Sequence, residues 1–422
     1  METATQINQG TPDNVNFKAG YKKTKIGWIP EDWDLVKLGD LFEFKNGINA
    51  DKSAYGTGVC FINVMEVINN NYITYNDIPG SLIVTESQLK TFKVSKGDVL
   101  FNRTSETPEE IGLSAVYLDD TNPVFGGFVI RGISKDNSLH ESFKKDCFNS
   151  GVVRKQIIVR GQGAVRANIG QKDLQSVLLP LPPFEEQQKI AEILSTWDKA
   201  IQLTQNLIEK LKLRKKGLMQ QLLTGTTRLK GFYGEWKEVK LGEYFTQRNE
   251  TNHTDLPLLS VGINGVYPQD ESEKKDTSNS DKSKYKRICI GDIGYNTMRM
   301  WQGRSALSSI EGIVSPAYTI VTHRDNADSL FFSYLFKLDY VVHRFYRNSQ
   351  GLVSDTWQCR FKDFSMVKVN CPPSLEEQKA IAKVLTTADN EIKIQENYLA
   401  QLQAQKKGLM QQLLTGEKRV KV

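Results

Sequence analysis

The chain has 422 residues, of which 39% are hydrophobic, 25% charged and 9% aromatic, and its 55 Lys and Arg against 49 Asp and Glu leave a net charge of +6. That composition supports two or three globular domains and excludes a wholly disordered, collagen-like or disulfide-scaffold protein; the mild basic excess permits an anionic partner without demanding one. No window nears the ~20 apolar residues of a membrane helix, the polar start shows no secretory signal, and five cysteines without a CxxC pair (Cys60, Cys147, Cys289, Cys359, Cys371) fit a reduced, cytoplasmic protein better than a zinc site.

In chain order, residues 1–26 read as a polar N-terminal tail, and residues 27–181 as a first globular domain opened by Trp33. Apolar runs at 60–64, 98–101, 115–118 and 127–130 predict short strands, and an amphipathic helix is expected over 143–158, ahead of a Gln162-Gly163 loop. Residues 182–225 predict one long helix, started by Pro182-Pro183 and stopped at Gly225. Residues 226–371 form a second domain, with strands expected at 258–261, 287–290 and 318–321 and a helix over 330–346 before Gln350-Gly351. Residues 372–416 give a second long helix from Pro372-Pro373 to Gly416, with Ser374 and Glu377 at capping-box spacing, and 417–422 a short tail. The fold class is therefore mixed α/β (α+β): two similar domains and two long helices.

The halves are copies. From Ile190/Ile381 onward the offset is a constant 191, and Lys215–Gly225 and Lys406–Gly416 share the eleven-residue run KKGLMQQLLTG. Upstream the match is weaker: Trp33…Val36-Lys37-Leu38-Gly39 parallels Trp236…Val239-Lys240-Leu241-Gly242, and Gly97-Asp98…Asn102 parallels Gly291-Asp292…Asn296. Within the constant segments apolar residues recur with a 4-3 spacing: Ile190, Leu194, Trp197, Ile201, Ile208, Leu211, Leu218 and Leu222, then Ile381, Leu385, Ile392, Leu399, Leu402, Leu409 and Leu413. A sustained 3.5-residue period predicts a coiled-coil seam. Lys215 and Lys406 interrupt it at matching places, and in basic helix ends they are expected to snorkel to water.

Catalytic signatures are missing. There is no GxxxxGK[ST] loop, HExxH, GxSxG or [Asn/Asp]-Pro-Pro-[Tyr/Phe] run, and the four histidines are scattered. The expectation is a chain with no catalytic residue, no bound metal and no cofactor of its own. Binding residues are easier to find. Before the first helix stand Arg154, Lys155, Arg160, Gln162, Arg166 and Asn168; before the second, Arg344, Arg347, Asn348, Gln350 and Arg360. A second loop follows each Gly-Asp pair, with Asn102, Arg103 and Thr104 in one half and Asn296, Arg299, Gln302 and Arg304 in the other. Arg and Lys suit phosphates and guanine edges, and Gln and Asn suit adenine edges. Singly each is an ordinary surface side chain; their recurrence at matching places favours duplex DNA. Trp33, Trp236 and Trp301 are expected to be packed rather than stacked on bases.

A variable domain followed by a Pro-Pro-x-(x)-Glu-Glu-Gln helix ending KKGLMQQLLTG, twice over from about 27 to 416, resembles the specificity subunit of a type I restriction-modification system. The resemblance implies two target recognition domains, each reading one half of a bipartite DNA sequence, and two helices paired antiparallel as a spacer in a pseudo-twofold repeat. It implies two modification subunits as partners, carrying S-adenosylmethionine and methylating adenine, and restriction subunits supplying ATP- and Mg-dependent translocation and cleavage. The alternative is a coiled-coil adaptor that binds protein partners rather than DNA.

Overall fold

The computed structural model describes residues 18–163, 166–262, 265–271, 280–351 and 357–421. The chain divides into two compact units, Met1–Leu203 with Leu399–Val422, and Thr204–Tyr398. The dividing lines fall inside both long helices, Phe184–Leu223 and Leu375–Leu414, rather than at their ends. Each unit thus holds one globular domain, part of the helix that follows it and part of the other helix.

In the first unit a five-stranded sheet runs in the order Phe42–Asn46, Val129–Ser134, Val99–Asn102, Ser114–Tyr117 and Tyr72–Ile73. In the second the order is Phe245–Arg248, Tyr318–His323, Ile293–Asn296 and Ser305–Leu307. The shared core pairings are antiparallel and in matching register, with Val129 opposite Asn102 where Tyr318 stands opposite Asn296. In both units the opening strand, Asp34–Lys37 or Lys237–Lys240, pairs with the strand just before the long helix, Leu178–Leu181 or Lys368–Cys371. That ribbon ties the domain's two ends together and aims the helix.

Both helices contain 40 residues, a length of ~60 Å at 1.5 Å per residue. Within the second unit Lys215 pairs with Asp389 at 2.5 Å, Lys212 with Glu396 at 2.7 Å, and Arg214 with Glu391. Within the first, Lys406 pairs with Asp198 at 2.7 Å. Numbers rise on one helix as they fall on the other, so the pairing is antiparallel. The seam leucines and isoleucines are buried or half-buried, as is Trp197. At the helix ends they join the domain cores: Ile190, Leu194 and Leu413 pack with Trp33, Phe42 and Phe143, while Leu222, Ile381 and Leu385 pack with Phe245, Phe331 and Phe364. Each such buried side chain contributes roughly 1.5–3 kcal/mol.

Several sequence expectations need correcting. Lys215 and Lys406 do not snorkel. Each meets the repeat counterpart of the other's aspartate, because a carboxylate on the facing helix stands within reach of the ammonium and a charge-assisted bond is made there. The helix expected over 143–158 is two, Glu141–Cys147 and Gly151–Arg160, with Ser150 capping the second through Val153 N at 3.4 Å. The helix expected over 330–346 is likewise Ser329–Leu335 and Asp339–Asn348. The capping box at Ser374 is half made: its hydroxyl accepts from Glu377 N at 3.4 Å, but the Glu377 side chain is used elsewhere. Of the N-terminal tail, residues 1–17 lie outside the described residues, and Tyr21–Thr24 is no tail but a strand paired with Gly27–Pro30.

The C-terminal tail is also fastened. Gly225 and Gly416 end the helices at φ +74° and +71°, a left-handed turn that glycine adopts without strain. Beyond each turn an arginine folds back onto the buried glutamate that begins the other helix. Arg419 Nε donates to Glu186 Oε1 at 2.8 Å and Arg228 Nε to Glu377 Oε1 at 2.5 Å. The domain-opening tryptophans complete the arrangement, Trp33 Nε1 donating to Glu186 at 2.8 Å and Trp236 Nε1 to Glu377 at 3.3 Å. Both are packed, as expected from their sequence position.

Candidate nucleic-acid interface

The Gly-Asp turn launches the central strand of each sheet. Asp98 accepts from Ser95 N at 2.7 Å and Arg131 Nε at 2.7 Å; Asp292 accepts from Cys289 N at 2.8 Å and Arg248 Nε at 2.7 Å. Burial raises the Asp98 carboxyl above the ordinary range, with Arg131 opposing it. The two arginines come from different strands. Arg131 sits opposite Lys45, whereas Arg248, in the place of Lys45, sits opposite Ile320, in the place of Arg131. The same charge reaches the same aspartate from either side of one strand pair.

The central strand ends at Asn102 or Asn296, and here the structure corrects the sequence reading. Asn102 is fully buried; its amide donates to Glu110 O at 3.0 Å and accepts from Thr104 N at 3.3 Å. It shapes the loop and is out of reach of DNA. Half-buried Asn296 does the same for Met298 N at 3.0 Å.

Beyond the asparagine, the two candidate loops of each domain, far apart in sequence, meet. In the first domain Thr104–Ser105 pairs with Ala167–Asn168, Thr104 Oγ1 donates to Asn168 Oδ1 at 2.7 Å, and Ile169 N donates to Arg103 O at 3.0 Å. Gln162 and Asn168 exchange main-chain hydrogen bonds of 2.9 and 2.8 Å, closing the loop between them. In the second domain Gln350 and Gln358 exchange bonds of 3.0 and 2.8 Å, and Cys359 N donates to Thr297 O at 2.8 Å. Each domain therefore carries a ridge whose loop is closed at the stem by a glutamine, with the glutamine exposed.

On the first ridge Gln162, Arg166 and Asn168 are exposed and Arg103 and Thr104 half-buried. The Arg166 guanidinium meets Glu106 at 3.2 Å, both well exposed, a pairing worth about 0–1 kcal/mol and easily exchanged for a phosphate. Other predicted residues stand apart. Arg154 donates to Glu109 O at 2.7 Å, and burial pushes its guanidinium down to about 10, so it serves as a loop anchor. Arg160 is held by Ser176 Oγ at 2.8 Å and Gln156 O at 2.9 Å; with exposed Lys155 it lines a separate cleft beside Lys25 and Gln411.

On the second ridge Gln350, Arg360, Gln302 and Arg304 are exposed and Arg299 half-buried. Arg360 donates to Gln358 Oε1 at 3.1 Å and borders a cleft with Gln350, Lys362 and Asp363. An adjoining cleft adds Gln247 and Lys286. Trp301 packs edge-on against Trp357 at 5.4 Å and donates to Met298 O at 3.0 Å, so it is packed rather than open. Arg344 is spent on Glu238 Oε1 at 2.6 Å and Lys368 O at 2.7 Å, which holds the Glu238 carboxyl below its usual range and pins the helix to the opening ribbon. Asn348 closes the same helix through Arg344 O at 2.9 Å, and Arg347 is exposed beside it. Sequence reading missed Gln358, Lys362 and Lys286; Gln358 was findable as the counterpart of Asn168.

The profile of the type I restriction modification DNA specificity domain matches residues 30–213 and 233–404. The type I restriction enzyme MjaVIII specificity subunit of Methanocaldococcus jannaschii is 27% identical over 430 residues, covering 93% of this chain and 94% of its own length. Among solved structures, the type I restriction-modification S subunit from M. genitalium overlays with a TM-score of 0.52 at 16% identity, covering 90% of this chain and 96% of that one. The HsdS subunit from Thermoanaerobacter tengcongensis gives 0.50 at 16% identity, covering 92% and 98%. With the twice-repeated profile spanning both domains and most of both helices, this chain belongs to the type I restriction-modification DNA specificity family.

Proposed function

We propose that the chain is the non-catalytic, sequence-reading subunit of a type I restriction-modification assembly. Each ridge reads one half of a bipartite duplex target, and the paired helices set the gap between the halves. The observation that carries this reading is the ridge built twice: the same glutamine-closed loop, at the same place on the same sheet, with different side chains around it. A shared scaffold with divergent readers suits two unlike half-sites. Cationic Arg166, Arg304 and Arg360 supply phosphate contacts, and the exposed glutamines supply adenine-edge contacts.

Two modification subunits, holding S-adenosylmethionine and methylating adenine, join on the helices, where Leu207 and its repeat counterpart Tyr398 are 42% and 49% exposed. Restriction subunits bring ATP and Mg for translocation and cleavage. The assembly works in the cytoplasm; among the described residues no helix is long and apolar enough to cross a membrane.

The test is a map of methylated adenines in a methylation-free host carrying this chain with its modification subunit. A split motif with a fixed gap, lost when this chain is omitted, is the expected result; methylation independent of this chain refutes the reading. Gln162→Ala is expected to relax one half-site and Gln350→Ala the other, each losing about 1–3 kcal/mol of discrimination at one base pair. Relaxation of both halves by either change, seen in the same maps, would count against separate readers.

A further inference from the structure

We infer that Phe128 contacts bases of the half-site read by the first domain; the inference rests on the reading of the ridges as DNA readers. A lone exposed phenyl ring needs no explanation by itself. Phe128 is 56% exposed, however, on a turn whose flanking main-chain groups are hydrogen-bonded. Gly126 N donates to Ile62 O at 3.0 Å, Gly127 N to Ile48 O at 2.8 Å and Val129 N to Gly126 O at 2.9 Å. A Cβ on Gly127 would collide with the Asn49 side chain, so the turn packs closely against the segment after Ile48.

The turn is also continuous with the ridge. Arg103 links them: its N–H donates to Phe128 O at 2.8 Å, its Nη1 to Gly127 O at 3.3 Å, and its own carbonyl accepts from Ile169 N at 3.0 Å. Phe128, Arg103 and Ile169 are thus consecutive rungs of one backbone ladder, which joins the turn to the two strands of the ridge at the residue before Thr104 and the residue after Asn168. The second domain builds the same ladder from Ala317, Thr297 and Cys359, with Thr297 N donating to Ala317 O at 3.1 Å. Where the first domain presents a rigid phenyl, the second presents a methyl.

An exposed apolar ring on a turn joined by its main chain to such a ridge is suited to the apolar part of a base edge, such as the thymine methyl, or to a wedge at a base step. It separates the two domains in the kind of group they bring to DNA rather than in scaffold.

The experiment is methylated-adenine mapping of the assembled complex with wild type, Phe128→Ala, Phe128→Leu and Gln162→Ala, with thermal melting of each chain. Phe128→Ala is expected to keep the gap and the other half-site. In the half-site that Gln162→Ala relaxes, it should make a position degenerate or cut modification about tenfold. Phe128→Leu should fall between it and wild type, with melting unchanged for both. A wild-type motif at wild-type extent in Phe128→Ala, or a change in the opposite half-site, overturns the inference. If Phe128→Ala melts early, the Leu variant decides by the same criteria. Failure of the wild-type chain to give any split motif instead overturns the reading of the ridges, and this inference with it.

Discussion

Arg131→Met is expected to destabilise the first domain by about 3–5 kcal/mol, because it strands a buried carboxylate. Arg131 and Asp98 have side chains only 7% and 6% exposed, and their bond is 2.7 Å. Asp98 also holds the turn that starts the central strand, so the ridge at the far end of that strand loses its footing. The second domain shows how the loss should be repaired. There the arginine stands one strand over, at the place of Lys45, with isoleucine at the place of Arg131. Lys45→Arg combined with Arg131→Ile should therefore recover much of the stability. Hydrogen exchange of the strands Val99–Asn102 and Val129–Ser134 reads the first domain without confusion from the second. Equal loss in the single and the combined variant would show that the two arginine positions are not interchangeable.

The long helices were legible because two independent regularities agree there, the 191-residue repeat and the 3.5-residue period. The domains were legible in part. The central strand Ile293–Asn296 was missed because Gly294 sits in its middle, and a glycine argues against a strand unless a close neighbour demands it. Ile288, Val261 and Ile320 press on that glycine, and such packing is not written locally. Both helix breaks were missed because an amphipathic pattern survives a short interruption. At the ridge, residue type pointed to the right loops but could not say which donors the protein itself consumes. Asn102 and Arg344 look like Gln162 and Arg360 in sequence, yet the first pair is bound to the backbone of its own domain and the second pair faces outward. The lysines of the seam were misread for a related reason: their aspartate partners lie on the other helix, at positions that local reading assigns to a solvated face.

Those lysines differ from one another in expected effect. Lys406 is 15% exposed and meets both Asp198, at 2.7 Å, and Asp146, at 3.3 Å, whose own side chain is 4% exposed. Burial pulls the Lys406 pKa down, but the two carboxylates outweigh it and the net shift is upward; burial raises that of Asp146. Lys215 is 23% exposed, and its partner Asp389, 39% exposed, also accepts from Tyr334 Oη at 2.6 Å. Lys215→Met leaves a carboxylate that still has a donor and water, and a cost of about 1 kcal/mol is expected. Lys406→Met removes the cation that both carboxylates bond and leaves buried Asp146 with only the more distant charge of Lys145, and about 3–5 kcal/mol is expected at neutral pH. The pH dependence separates this from lost packing. A carboxyl whose pKa is raised in the folded state gives stability that is full below its unfolded value and lost as pH rises through the folded value. Without Lys406 the pKa of Asp146 climbs further, so the deficit should be largest at neutral pH and shrink as acid protonates Asp146. Denaturant midpoints of both proteins at about pH 5 and pH 8 test this; an equal deficit at the two values would assign the effect to the lysine stem instead. If the charges matter mainly for alignment, replacing Lys406, Asp146 and Asp198 together by apolar residues should restore stability while loosening the helix register, since buried polar groups in a seam are best attested as register devices.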